Sequence, residues 1–165
     1  MKKIIISCVA GIVMSVTAIA ADAATKILTN YDQLLQALQQ DDNVSAIIHF
    51  NHCSATVPAG VKKTDVDPGD TTKRLNFNVF MHYKAILQNQ QHYTIATSNT
   101  ILTEHHIFGS VYEYARLRVF EDNSVELYTA YLDPKTFEVK AKGTLTCQIS
   151  NGNDQNGVVL FDATL

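Results

Sequence analysis

An excess of basic charge is missing from this chain. Lysine and arginine total 13 against 16 aspartates and glutamates, for a formal net charge of −3 at pH 7. Lys2 and Lys3 belong to the N-terminal run described below, so the remainder is more acidic still. A surface of that sign argues against a nucleic-acid partner and against electrostatic attachment to anionic lipid. Long apolar runs are missing after about Ala20, so no later stretch suffices to span a bilayer. Cysteine is scarce, with Cys8, Cys53 and Cys147 the three in the chain. Neither Cys53 nor any serine sits in a recognisable nucleophile elbow. Internal repeats, low-complexity segments and second-domain boundaries are absent too.

What is there begins with an export signal. Lys2 and Lys3 precede an apolar run from Ile4 to about Ala20, followed by Ala18-Ile19-Ala20 and Ala21-Asp22-Ala23. Both triplets place small residues at the −3 and −1 positions that a signal peptidase reads. A retained anchor is the alternative, but apolar density thins through Ser15 and Thr17, which favours cleavage after residue 23. Cys8 lies inside the signal and leaves with it. The remainder, residues 24–165, is the size of one domain with an adequate core. Its location is expected to be periplasmic or secreted. There Cys53 and Cys147 form one disulfide most simply, worth about 4–5 kcal/mol in the chain-entropy treatment of so long a loop. A reactive or metal-binding Cys53 is the competing reading.

The clearest structural signal is Phe137–Ser150. Phe137, Val139, Ala141, Gly143, Leu145, Cys147 and Ile149 fall on alternate positions, with Glu, Lys, Thr, Gln and Ser between them. A strand turns such residues to opposite faces, one dry and one wet, and Gly143 offers a bend. A helix is expected from Thr29, with Thr29 and Asp32 in capping-box spacing and Tyr31, Leu34, Leu35 and Leu38 forming one apolar stripe. Val44–Phe50 reads as a strand ending near Cys53, and 53–74 as a long surface loop. Phe77–Leu87 reads as a second strand, with Phe77, Val79, Met81, Tyr83, Ala85 and Leu87 on one face. Gln88–Gln91 reads as a turn. Tyr93–Thr97 is a further strand, its extension to Thr103 a weaker pattern, and Glu104–Ser110 a connection.

Val111–Phe120 and Val125–Leu132 make a hairpin. A three-residue loop keeps Leu117 and Val119 level with Thr129 and Leu127, and sets Arg118 against Tyr128 and Arg116 against Ala130. Asp133-Pro134-Lys135-Thr136 is a turn, and Asn151-Gly152 and Asn156-Gly157 bracket the last one before Val158–Phe161.

The leucine helix after an export signal, Ile48-His49-Phe50 running into Cys53, Tyr114-x-Arg116-x-Arg118, Asp133-Pro134 and Thr146-Cys147-x-Ile149 together resemble the VirK family. These are small exported bacterial proteins named for a virulence-region gene. The likeness runs from about Thr29 to Cys147 and implies an exported, disulfide-bonded, virulence-associated protein. It supplies no catalytic residue, cofactor or ligand.

Several clusters invite chemistry. His49, His52 and Cys53 are metal-ligand types, although opposite strand parity points His49 and His52 apart. Glu104-His105-His106 is the densest titratable cluster and would need a third metal ligand from elsewhere. Asp65, Asp67 and Asp70, and separately Asn151, Asn153 and Asp154, are oxygen-rich, yet neither run has the glycine and terminal glutamate of a twelve-residue calcium loop. Turn chemistry accounts for both. Tyr112, Tyr114, Arg116, Arg118, Phe120 and Tyr128 share the strand face opposite Leu117 and Val119. Arginines among aromatic rings suit recognition of an anionic or aromatic group.

The expected fold is α+β: one N-terminal helix on a curved, mainly antiparallel sheet of six to seven strands, open or closing as a barrel. The expected role is a non-catalytic binding protein with no cofactor, whose partner is a protein or small ligand. The alternatives are a carrier holding a small apolar ligand in the curved sheet, and a metal-dependent hydrolase using the His105-His106 loop.

Overall fold

The computed structural model describes residues 25–56, 71–87 and 90–163. The expected export signal and the expected loop carrying Asp65, Asp67 and Asp70 lie outside the described residues. A short strand β1 (Lys26–Leu28) comes first, and α1 spans Tyr31–Gln39. The helix starts later than the Thr29–Asp32 spacing suggests, because β1 keeps the backbone extended through its pairing with the last strand. Asn30 is the cap, its Oδ1 accepting from the Gln33 N–H at 2.9 Å. Gln33 Oε1 reaches back to accept from the Thr29 N–H at 2.8 Å, so the reciprocal capping runs between residues 29–30 and 33. Tyr31, Leu34, Ala37 and Leu38 are buried, and Asp41 closes the helix in the left-handed region at φ 59°.

Nine further strands follow: β2 (Val44–His49), β3 (Ser54–Thr56), β4 (Thr72–Asn76), β5 (Phe80–Leu87), β6 (Gln90–His105), β7 (Gly109–Phe120), β8 (Ser124–Leu132), β9 (Val139–Gln148) and β10 (Val158–Asp162). They form two sheets rather than one. The smaller has the order β1-β10-β2-β4 and the larger β3-β9-β8-β7-β6-β5, all neighbours antiparallel, and neither closes as a barrel. One helix and antiparallel strands match the expected class; the single sheet does not. The 53–74 stretch is also not all loop, since β3 pairs with β9 and β4 with β2.

The division into two sheets follows from where the chain changes sides. A 3-10 turn, Phe50–His52, carries it from β2 to β3. Residues Phe77–Val79 carry it from β4 to β5, which splits the expected Phe77–Leu87 strand. Phe77 is buried in the shared core, whereas Val79 and Met81 are 77% and 66% exposed on the other side of the larger sheet. A single alternating run thus serves two sheets. Between the sheets lies one apolar cluster, with Leu28, Ile48 and Leu160 from the smaller, Ile95, Leu117 and Leu127 from the larger, and Leu34 from α1.

The hairpin loop has three residues as expected, but they are Glu121, Asp122 and Asn123. Leu117 therefore faces Leu127, Val119 faces Val125, Arg116 faces Tyr128 and Arg118 faces Glu126, two positions from the expected register. Asn123 at φ 66° explains the choice, since a turn followed by one left-handed residue suits asparagine. The β6–β7 connection is also shorter than expected, with His105 pairing Gly109 across a tight turn. The expected Gln88–Gln91 turn is narrower as well, because Leu87 pairs with Gln90. β9 begins at Val139, with Phe137 in the preceding turn at φ 58°. Its face is dry only from Leu145 onward, so Val139 stays exposed.

Cys53 and Cys147 are joined, with their α-carbons 4.6 Å apart. The bond sits where the chain leaves β2 for the larger sheet and clips β3 to β9. Gly157 packs so closely behind it that a β-carbon there would lie 2.5 Å from the Cys53 sulfur.

Candidate binding face

Strand parity puts Tyr112, Tyr114, Arg116, Arg118 and Tyr128 on the face of the larger sheet opposite the buried Leu117 and Val119. Antiparallel register then decides their neighbours. Glu126, opposite Arg118, accepts from Arg116 at 3.1 Å and from Arg118 at 3.4 Å. The Arg116 guanidinium lies 5.2 Å from the Tyr128 ring centre, and Tyr114 meets Tyr128 edge-on at 6.1 Å. Tyr112 stands further along the face, its ring stacked parallel on Phe137 at 5.8 Å. Phe120 is buried.

Two guanidiniums therefore share one carboxylate, and both remain about a third exposed. Lys142, opposite Ala130, adds a third cation to this face of an otherwise acidic chain. The Nε–H donors of Arg116 and Arg118 are covered and have no acceptor among the described residues. Buried donors are usually satisfied, so this pair is out of the ordinary.

Beside the arginines lies a groove of about 350 Å³, lined by Val79, Met81, Tyr83, Ala96, Ser98, Tyr114 and Arg116. Val79, Met81 and Tyr83 border the candidate face, and sequence reasoning did not include them. Their alternation was visible, but the side they present depends on the crossing at Phe77–Val79.

A second concavity, about 410 Å³, opens where β4 diverges from β6. Phe50, Leu75, Ile101 and Ala115 line it together with Asn99, Tyr131 and the ion pair of Lys73 with Glu113. Each member of that pair is 17% exposed. Burial, with the Glu113 carboxylate adding to it, pushes the Tyr131 hydroxyl pKa up. The lining of this cleft thus mixes apolar side chains with an ion pair.

The histidine clusters fall on separate turns. β2 ends at His49, and the 3-10 turn brings the rings of His49 and His52 to 6.0 Å, overriding the strand parity that was to keep them apart. Cys53 offers no thiolate to them. His105 stacks on His106 and Phe108, both at 4.7 Å, and touches Tyr131 at 4.5 Å. Its Nδ1 accepts the Ile107 N–H, and Glu104 accepts from Ser110, so both side chains are engaged within their own hairpin. Among the described residues no group of three His, Cys, Asp or Glu is arranged to hold a metal ion. In the last loop, Asp154 accepts from the Asn151 N–H, the Ser150 hydroxyl and the Asn156 N–H, which hold its pKa low, the Asn151 N–H being the largest cause. Asn151 Oδ1 takes the Asn153 N–H, so these oxygens organise the turn.

Taken together the features define a small disulfide-clipped, two-sheet α+β domain with an arginine–tyrosine face. The VirK protein family model matches residues 27–137, and the chain belongs to the VirK family. The crystal structure of a VirK family protein from Legionella pneumophila shares the fold, with a TM-score of 0.61 at 12% identity. The match covers 82% of this chain and 98% of that one. Comparison with curated proteins gives no match.

Proposed function

We propose that this protein is a non-catalytic binding module that acts outside the cytoplasm and captures an acidic protein partner on the outer face of its larger sheet. The observation that carries this reading is the sharing of Glu126 by Arg116 and Arg118, which leaves positive charge on a tyrosine-lined surface. Guanidiniums pair with carboxylates in a planar, two-pronged geometry, and aromatic neighbours strengthen such sites. The exposed Val79 and Met81 add apolar area beside the charge, the mixture found at the centre of protein interfaces. A disulfide between Cys53 and Cys147 supports an oxidising compartment, periplasmic or external.

The test places a photo-crosslinking residue at Met81 in the native host, with Arg74 on the smaller sheet as the comparison site. Capture from position 81 that is lost in Arg116→Gln supports the reading. Equal capture from both positions, or capture indifferent to Arg116, refutes it. Glu126→Gln frees both guanidiniums and should tighten capture.

A further inference from the structure

Open sheets expose strand edges, and natural proteins protect them by shortness, charge, proline or bulges. β1 and β3 are three residues each. β4 carries Lys73 and Arg74, and β5 carries Lys84. One further edge is long, has no proline, basic residue or bulge, and carries Glu104 as its charged side chain. The last pair of β5 with β6 is Phe80 with Thr97, but β6 continues from Ser98 to His105 held by β7 alone. This run, Ser-Asn-Thr-Ile-Leu-Thr-Glu-His, has no lysine, arginine or proline. Its pairing with β7 shows no register shift. Ile101 and Leu102 are 45% and 61% exposed on it, and among the described residues no backbone hydrogen bond outside the β6–β7 ladder reaches this edge.

We infer that Asn99–His105 is a dimer edge at which a second copy of the chain adds its own β6, antiparallel, across a two-fold axis. The occupant is a second copy because the segment complements itself. A two-fold axis normal to the sheet keeps inner faces with inner faces, which requires a residue to sit opposite itself. Centring on Leu102 sets Ile101 opposite Thr103, Thr100 opposite Glu104 and Asn99 opposite His105 of the second copy. No like charges meet. Centring on Ile101 instead would drive His105 of the second copy to the level of Thr97, where Phe80 already pairs. Centring on Thr103 would shorten the ladder. The chosen register also brings the turn carrying Ile107, itself exposed, alongside the exposed Val79 at the end of β5. The larger sheets of two copies then run on as one.

Sedimentation velocity on the purified chain tests this, with concentration raised to about 100 µM because so small an interface binds weakly. The expected result is a mass that doubles with concentration, and a monomer at all concentrations for Leu102→Lys with an unchanged melting curve. Under oxidation Leu102→Cys should give a covalent dimer, while Asn99→Cys, distant from its own copy in this register, should not. A wild-type chain that stays monomeric, or a dimer that Leu102→Cys fails to lock, overturns the inference.

Discussion

The side chain of Asn123 accepts the backbone N–H of Tyr31 at 2.7 Å, across 92 positions of sequence. The tip of the β7–β8 hairpin thereby satisfies one of the open donors at the start of α1. The same residue adopts φ 66° to close its own turn. Asn123→Gly keeps the turn and removes the cap, for an expected loss of about 1 kcal/mol. Asn123→Ala also meets the left-handed backbone penalty and should lose about 2 kcal/mol in all. Urea denaturation of the two variants separates the contributions.

Gly157 tests the packing behind the disulfide. A β-carbon there would approach the Cys53 sulfur to 2.5 Å and the His52 and His49 carbonyl oxygens to 3.1 and 3.2 Å. Gly157→Ala should cost about 1–3 kcal/mol through overpacking. Replacing both Cys53 and Cys147 by alanine removes the nearest obstacle, so the Gly157→Ala penalty should shrink in that background. A double-mutant cycle by denaturant unfolding reads the coupling.

Lys73 and Glu113 bridge the two sheets beside the cleft, largely screened from water. Lys73→Met strands a covered carboxylate and should destabilise by about 2–3 kcal/mol. Adding Glu113→Leu should recover most of that loss, because the pair together contributes less than either charge left alone. Equal midpoints for the single and double variants would mean that Glu113 reaches solvent freely.

The Asp133 turn gives an acid dependence. Lys140 donates to the Asp133 carboxylate at 2.9 Å, and the Lys135 and Thr136 N–H groups donate at 2.9 and 3.1 Å. These bonds hold its pKa well below the ordinary 3.8, Lys140 being the largest cause. A lowered folded value means the contribution is complete at neutral pH and is lost as pH falls from about 4 through the folded value. Lys140 is shifted upward by the same pair, so its share persists until strongly alkaline pH. Thermal melts of wild type and Asp133→Asn should converge as the solution is acidified, and a carboxyl NMR titration should place the Asp133 midpoint below 3.8.

Strands with one face on the core were legible in sequence: β2, β7, β8 and the end of β9 alternate because burial of Leu117, Leu127 and Leu145 requires it. β4 was not, since its five residues contain one apolar side chain, Leu75, and its ladder is supplied by β2. The far half of β6 was faint for a related reason. With one edge unpaired among the described residues and little burial, nothing imposes a pattern on Ser98–Leu102. The arginine–tyrosine face could be read from parity alone. Its neighbours Val79 and Met81 could not, because which way β5 turns them depends on a crossing between sheets that leaves the alternation of residue types intact.

β1 lies against β10, with Lys26 opposite Asp162, so the described chain starts and finishes side by side on the smaller sheet. A short peptide joining residue 163 to residue 25 would make the backbone a ring that can be reopened elsewhere. Circular permutants cut at the Asn151–Asn156 turn would carry new ends away from this seam and keep the β1–β10 ladder as a covalent hairpin.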